Sequence, residues 1–184
     1  MDDELSGLVR AAAAGDEAAW DKLVERFSGL VWSVVRAYGL AQADAADVFQ
    51  LTWLRLVEHL QQIRQPERLG AWLATTARRE CYQVRRTGGR ALPTDDLTRF
   101  ERPDTSPPSP ETLWLGRERS VELFRALREL TLRCQRLLRV LMASPPPTYR
   151  EVAAALDVPI GSIGPTRQRC IDQLRRVLKE RGEG

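Results

Sequence analysis

An all-α fold is the reading that three features of this 184-residue chain give. Apolar residues recur at three- and four-residue spacing through most of the sequence, and alternating runs of β-branched and aromatic residues do not occur. Gly or Pro punctuates the periodic stretches where helices must stop. Residues 87–110 differ: Gly88, Gly89, Pro93, Pro103, Pro107, Pro108 and Pro110 stand among Asp95, Asp96, Glu101 and Asp104. Such a segment buries too little apolar surface to offset the entropy of ordering it. The predicted architecture is therefore two small helical domains, residues 1–86 and 111–184, joined by an extended acidic, proline-rich linker at 87–110.

In the first domain a helix is expected from about Leu5 to Ala14, ended by Gly15. Trp20, Leu23, Val24, Phe27, Leu30, Val31, Val34, Val35 and Tyr38 predict a long second helix that Gly39 stops. Between Asp44 and Ile63, Phe49, Trp53, Leu56, Leu60 and Ile63 form one core stripe. The opposite face is mixed, with Asp47, Gln50 and Glu58 beside Leu51 and Leu54. Two leucines among acids call for a covering partner or for a second buried contact within the bundle. Asp44 and Asp47 lie at a helix start, where the dipole favours carboxylates, and no nucleophile or metal ligand accompanies them.

A further helix over residues 66–86 buries Leu69, Trp72, Leu73, Thr76, Ala77 and Val84. Its outer face carries Arg78, Arg79, Tyr82, Arg85 and Arg86. An aromatic ring flanked by guanidinium groups suits unstacked bases and phosphates, and a merely solvated basic face is the alternative.

The second domain opens with Leu113, Val121, Phe124, Leu127 and Leu130 on one helix. Thr131 caps the next, which holds Leu137, Leu138 and Leu141. After Pro145, Pro146 and Pro147, the sequence Thr148-Tyr149-Arg150-Glu151 fits a capping box, and Val152 and Leu156 share the face of a two-turn helix ended at Asp157-Val158-Pro159. Ser162 is the expected N-cap of a last helix that tolerates Pro165 in its first turn. Ile163, Cys170, Ile171, Leu174, Val177 and Leu178 form its apolar stripe. Gln168, Arg169, Asp172, Arg175 and Arg176 lie opposite, and Arg167 falls near the stripe. Two short helices around a tight turn, the second with a polar face, are the pattern of a helix-turn-helix, in which Thr166, Gln168 and Arg169 would meet base edges and Arg167 and Arg176 phosphates.

Charge is unevenly divided. Residues 111–184 carry 14 basic against 9 acidic side chains, whereas residues 1–86 carry 11 against 12, which favours nucleic acid at the C-terminal end. No apolar run approaches a membrane span, and the acidic N-terminus lacks the features of a signal peptide, so a cytoplasmic protein with no membrane contact is expected. Cys81, Cys134, Cys170 and His59 are scattered without CxxC or Cys/His pairing. Neither a metal site nor a disulfide framework is expected, and each thiol is read as a small buried side chain.

Three motifs in this order resemble the extracytoplasmic-function (ECF) sigma factors, the smallest type of the sigma-70 family. DAADVFQLTWLRL at residues 44–56 resembles the region 2 signature D-A-E-D-L-V-Q-E-x-F-L-x-L. The run from Ala71-Trp72-Leu73 to Arg86 resembles the helix that meets the minus-ten element. YREVA at residues 149–153, continuing to Arg169, resembles region 4, commonly Y-x-E-I-A-x-x-L-x-x-x-x-G-T-V. The resemblance implies a promoter-specificity subunit of RNA polymerase with no catalytic residues and no cofactor. Asp47, Gln50, Leu51 and Leu54 would face the clamp helices of the largest polymerase subunit, and the C-terminal domain would sit near the flap of the second-largest. Arg64 and Gln65, in a loop matching base capture, would join Arg78, Arg79, Tyr82, Arg85 and Arg86 on minus-ten DNA. Ser162, Thr166, Arg167, Gln168, Arg169 and Arg176 would serve the minus-thirty-five element. An anti-sigma protein is a further implied partner. The chain departs from the family pattern at Leu51, often Glu, at Arg79, often Asn, at Gly164-Pro165 and at Arg167. The competing reading is a dimeric helix-turn-helix repressor or activator.

Overall fold

A computed structural model describes residues 2–87 and 122–182, and all regular structure among them is helical. The predicted linker, with Leu113 and Val121, lies outside the described residues. Helix α1 spans Asp2–Ala13, α2 Glu17–Ala37, α3 Gln42–His59 and α4 Leu69–Thr87. Residues 122–129 form α5, followed by α6 (Leu132–Leu141), α7 (Tyr149–Leu156) and α8 (Ile163–Gly182).

Local chemistry sets the boundaries. Asp16 caps α2 by accepting from the Ala19 N–H at 3.1 Å, and Gly15 and Gly39 turn the chain with φ of +93° and +63°. Short 3-10 turns at Leu60–Gln62 and Pro66–Arg68 link α3 to α4, the second placing Pro66 where a missing N–H costs nothing. Thr131 accepts from the Cys134 N–H to start α6. The capping box at Thr148 is complete: its hydroxyl accepts from the Glu151 N–H at 3.3 Å, and its own N–H donates to the Glu151 carboxylate at 2.6 Å. Asp157 closes α7 in the left-handed region at φ 59°, a conformation its short polar side chain tolerates.

In the N-terminal segment α2 is the central element, buried along Leu23, Phe27, Leu30, Val31, Val34 and Val35, with α1, α3 and α4 packed around it. Trp20 meets Trp53 edge-on at 6.0 Å between ring centroids, and Trp32 stacks on Phe49 at 4.5 Å. These aromatic contacts fix the inner side of α3. In the C-terminal segment α6 packs on both α7 and α8, and Glu129 pairs with Arg181 to hold α5 against the end of α8.

The two segments share one core. The most extensive helix contact among the described elements is between α4 and α7, and α6 packs on α2. Buried residues of both segments, from Leu5 to Cys170, form one continuous apolar cluster.

The reading of the cysteines is corrected. Cys134 on α6 and Cys170 on α8 form a disulfide, their Cα atoms 5.3 Å apart, whereas Cys81 is a buried free thiol. The two positions are 36 apart in sequence, so only the folded arrangement of α6 against α8 reveals the pair. Closing a loop of that length restricts the unfolded chain by about 4 kcal/mol in the chain-entropy model. Reduction, or a Cys134→Ala/Cys170→Ala double substitution, is expected to lower the unfolding free energy of the chain by up to about that amount. Denaturant unfolding with and without a phosphine reductant measures it.

Candidate functional site

Three surfaces carry the residues singled out by sequence. On α3, Asp47, Gln50 and Leu54 are exposed and Leu51 is half-buried. Leu54 is 53% exposed, and beside it stands Val57 at 55%, a member of this face that the sequence reading omitted. Val57 follows Leu54 at i+3, and that spacing was the available signal. The mixed face is therefore open to solvent rather than a second internal contact. Behind it, Trp53 and Leu56 are buried, and the Thr52 hydroxyl donates to the Val48 carbonyl at 2.7 Å. Arg55 fastens the helix sideways, reaching Glu58 at 3.0 Å and the buried Glu80 of α4 at 3.5 Å. The bond to Glu58, more than the proximity of Glu80, raises the guanidinium above its ordinary pKa.

The second surface is α4 with the loop before it. Arg64 and Gln65 are exposed, as are Arg79, Tyr82 and Arg86, while Arg85 is half-buried. Arg79 lies ten residues into α4 from Leu69, about 15 Å along the helix axis. Arg78 does not belong to the open face. Its side chain is 11% exposed, it pairs with Asp157 at 2.5 Å, and its Nε is buried without a hydrogen-bond partner. The wheel of α4 alone could not show this, because the residue that covers Arg78 comes from the C-terminal segment.

The third surface is the helix-turn-helix. Arg167, Gln168, Arg169 and Arg176 are exposed on α8, and Ile163 and Cys170 are buried on its other side. Arg167 thus lies outside the apolar stripe. Gln168 donates to Asp172 at 3.1 Å, which holds its amide along the helix. Two expectations change. Thr166 is 8% exposed and accepts from Arg169 at 3.4 Å, so it supports Arg169 rather than presenting itself to a groove. Ser162 closes a 3-10 turn over Ile160–Ser162, and its hydroxyl donates to the Pro159 carbonyl at 2.7 Å instead of capping α8.

Tyr38, read from sequence only as core, stands between α4 and the helix-turn-helix. Its hydroxyl donates to the Ala155 carbonyl at 2.9 Å in a buried bond. Its ring meets Tyr82 edge-on at 5.2 Å, and the Arg136 guanidinium lies 4.8 Å from its centroid. A cavity of about 220 Å³ opens beside it, lined by Arg136, Leu156, Val158, Ile163 and Thr166 among others. No group of three or more potential metal ligands occurs among the described residues, and none of the described helices is long and apolar enough to cross a membrane.

Residues 23–91 match the family model for sigma-70 region 2. The chain is 29% identical over 183 residues to the ECF RNA polymerase sigma factor SigE of Mycolicibacterium smegmatis, covering 96% of this chain and 69% of that one. It is 28% identical over 165 residues to the ECF RNA polymerase sigma-E factor of Escherichia coli K12, covering 85% and 84%. Among solved structures, CnrH in complex with the cytosolic domain of CnrY superposes with a TM-score of 0.60 at 22% identity, over 94% of this chain and 96% of that one. The sigma factor RpoE of Bartonella quintana, in complex with the anti-sigma factor NepR, gives 0.55 at 23% identity over 86% and 97%. At these identities the two structures support the all-helical fold.

The segment 23–91 is thus similar to sigma-70 region 2, and the similarity to ECF sigma factors runs over 85% to 96% of the chain. These similarities support the function of an alternative sigma factor, and the repressor reading is not favoured.

Burial, with Tyr82 close by, pushes the Tyr38 phenol well above its ordinary value of about 10, against the opposing pull of Arg136 and Arg78. The folded state holds the neutral form. The stability Tyr38 contributes is therefore whole below pH about 10, where the unfolded phenol titrates, and is lost as the pH climbs toward the folded value. Alkaline titration followed by tyrosinate absorbance should show one phenol ionising well above the ordinary range, and Tyr38→Phe should remove that late step.

Proposed function

We propose that this chain binds RNA polymerase core through the exposed face of α3 and carries it to promoters read in two places. The loop before α4, with Arg79, Tyr82 and Arg86, takes the minus-ten strand, and α8 takes the minus-thirty-five duplex. The observation that carries the reading is that one chain combines the region 2 match over residues 23–91 with a capped helix-turn-helix whose second helix exposes Arg167, Gln168 and Arg169.

The α3 face suits a protein partner. Leu54 and Val57 give an apolar centre that becomes favourable once covered, and Asp47, Gln50 and Glu58 ring it with polar groups that select a basic or hydrogen-bonding counterpart. The α4 face suits single-stranded DNA: Tyr82 offers a ring for a base to stack on, and Arg79 and Arg86 offer charge for phosphates on either side. On α8, Arg169 is braced by Thr166, which limits the rotamer entropy lost when it engages a base edge. No catalytic chemistry is needed, since polymerase supplies it, and the site of action is the cytoplasm. RpoE of Bartonella quintana is bound by an anti-sigma factor, and an inhibitor protein covering the α3 face is the corresponding regulator here.

Run-off transcription with core enzyme tests the proposal. Core plus this protein should start transcripts on promoters that core alone ignores, and failure on every genomic promoter would overturn the reading. Leu54→Asp with Asp47→Arg should abolish core binding in a pull-down while leaving the helical circular dichroism unchanged. Arg169→Ala should weaken upstream-element recognition by about 1 to 3 kcal/mol, read from competition between upstream sequences.

A further inference from the structure

The cavity beside Tyr38 has the composition of a small-molecule site: a mostly apolar lining with a few polar groups that converge on it. Leu137, Leu156, Val158 and Ile163 form apolar walls, and Tyr38 contributes its ring. Arg133 and Arg136 enter from α6, and Ser162 and Thr166 from the turn before α8 and its first residues. The two polar walls are tied together. Cys134 follows Arg133 in sequence, Cys170 lies one turn beyond Thr166, and the disulfide joins them. A ligand would therefore meet a preformed site and lose little to ordering it.

The hydrogen-bonding capacity left over in this cavity is one-sided. Neither Arg133 nor Arg136 pairs with a carboxylate among the described residues; Arg136 is half-buried, with its guanidinium 4.8 Å from the centroid of the Tyr38 ring. Asp157, the carboxylate beside Val158 in sequence, is committed to Arg78. The Tyr38 proton goes to the Ala155 carbonyl and the Ser162 proton to the Pro159 carbonyl. The Thr166 hydroxyl accepts from Arg169, and its own proton is left to donate. Two guanidinium groups and one hydroxyl proton thus face the cavity without an anion. A carboxylate, which only accepts and takes several charge-assisted bonds at once, matches that set.

We propose that this cavity binds a small organic carboxylate, a single aromatic ring or short branched chain carrying one negative charge. Arg133, Arg136 and the Thr166 hydroxyl hold the carboxylate, and Leu137, Leu156, Val158 and Ile163 cover the apolar body. The volume sets the size of the body. A cavity of about 150 Å³ takes up benzene, so one of about 220 Å³ accommodates a ring together with its carboxylate. It falls short of the roughly 300 to 1,000 Å³ typical of larger ligands. The apolar walls select against a bare inorganic anion, whose hydration they cannot replace. Occupancy also reaches the outer face of α8: a ligand that takes the Thr166 proton fixes that hydroxyl with its lone pairs toward Arg169.

Titration calorimetry of the free full-length chain tests this without polymerase or DNA, so its outcome is independent of the promoter reading. Benzoate is the probe, with benzamide as its neutral counterpart and inorganic phosphate as an anion without an apolar body. Benzoate should saturate with a Kd below about 1 mM, and the other two should bind at least about tenfold more weakly. Arg133→Gln with Arg136→Gln removes the charge, and Val158→Phe fills the cavity while leaving both arginines. Each variant should lose at least about tenfold in benzoate affinity with unchanged helical circular dichroism. Absence of saturation by benzoate at about 10 mM would overturn the site. So would benzamide binding as well as benzoate, which would make it an apolar void, or phosphate doing so, which would make it a surface anion contact. Benzoate affinity retained in the folded Val158→Phe variant would place any binding elsewhere and overturn it as well.

Discussion

Tyr38 is the point on which the arrangement of the helices depends. It terminates α2, touches Tyr82 of α4, lies under Arg136 of α6 and donates to α7, so four helices from both ends of the chain converge on one side chain. A hydroxyl placed there must be bonded, because burying it unpaired would cost more than a net hydrogen bond contributes. The Ala155 carbonyl is free for it because α7 ends one residue later, and the last carbonyls of a helix have no partner within it. The short length of α7 and the position of Tyr38 are thus two halves of one constraint.

That constraint also explains which parts of the structure could be read from sequence. Helix ends were legible wherever the signal is local: Gly15, Gly39, Thr131 and the Thr148 capping box each act within four residues. Core stripes were legible where a helix buries one face against its own segment, as α2 does through Leu23, Val31 and Val35. The failures have a common cause. Arg78 sits on the wheel beside Arg79 and Tyr82, and only the arrival of Asp157 from the other segment removes it from the open face. Thr166 looked like a groove residue because its neighbours are polar, yet it borders the junction cavity and is buried. Cys134 and Cys170 carry no spacing motif and meet only because α6 packs on α8. Long-range pairing leaves no periodic trace in a single sequence.

The candidate surfaces differ in how firmly they are held. The α3 face is backed by stacked and edge-on aromatic rings and by Arg55 bridging to Glu80, so its exposed residues project from a rigid support. Exposed ion pairs such as Arg55 with Glu58 contribute little to stability, and their value here is orientation. On α8 the support is the Cys134–Cys170 bond together with buried Ile163, which places Arg167, Gln168 and Arg169 on the outer side of a helix anchored to α6. The Gly164-Pro165 pair begins that helix without interrupting it, because the first-turn N–H groups have no intrahelical acceptor to lose.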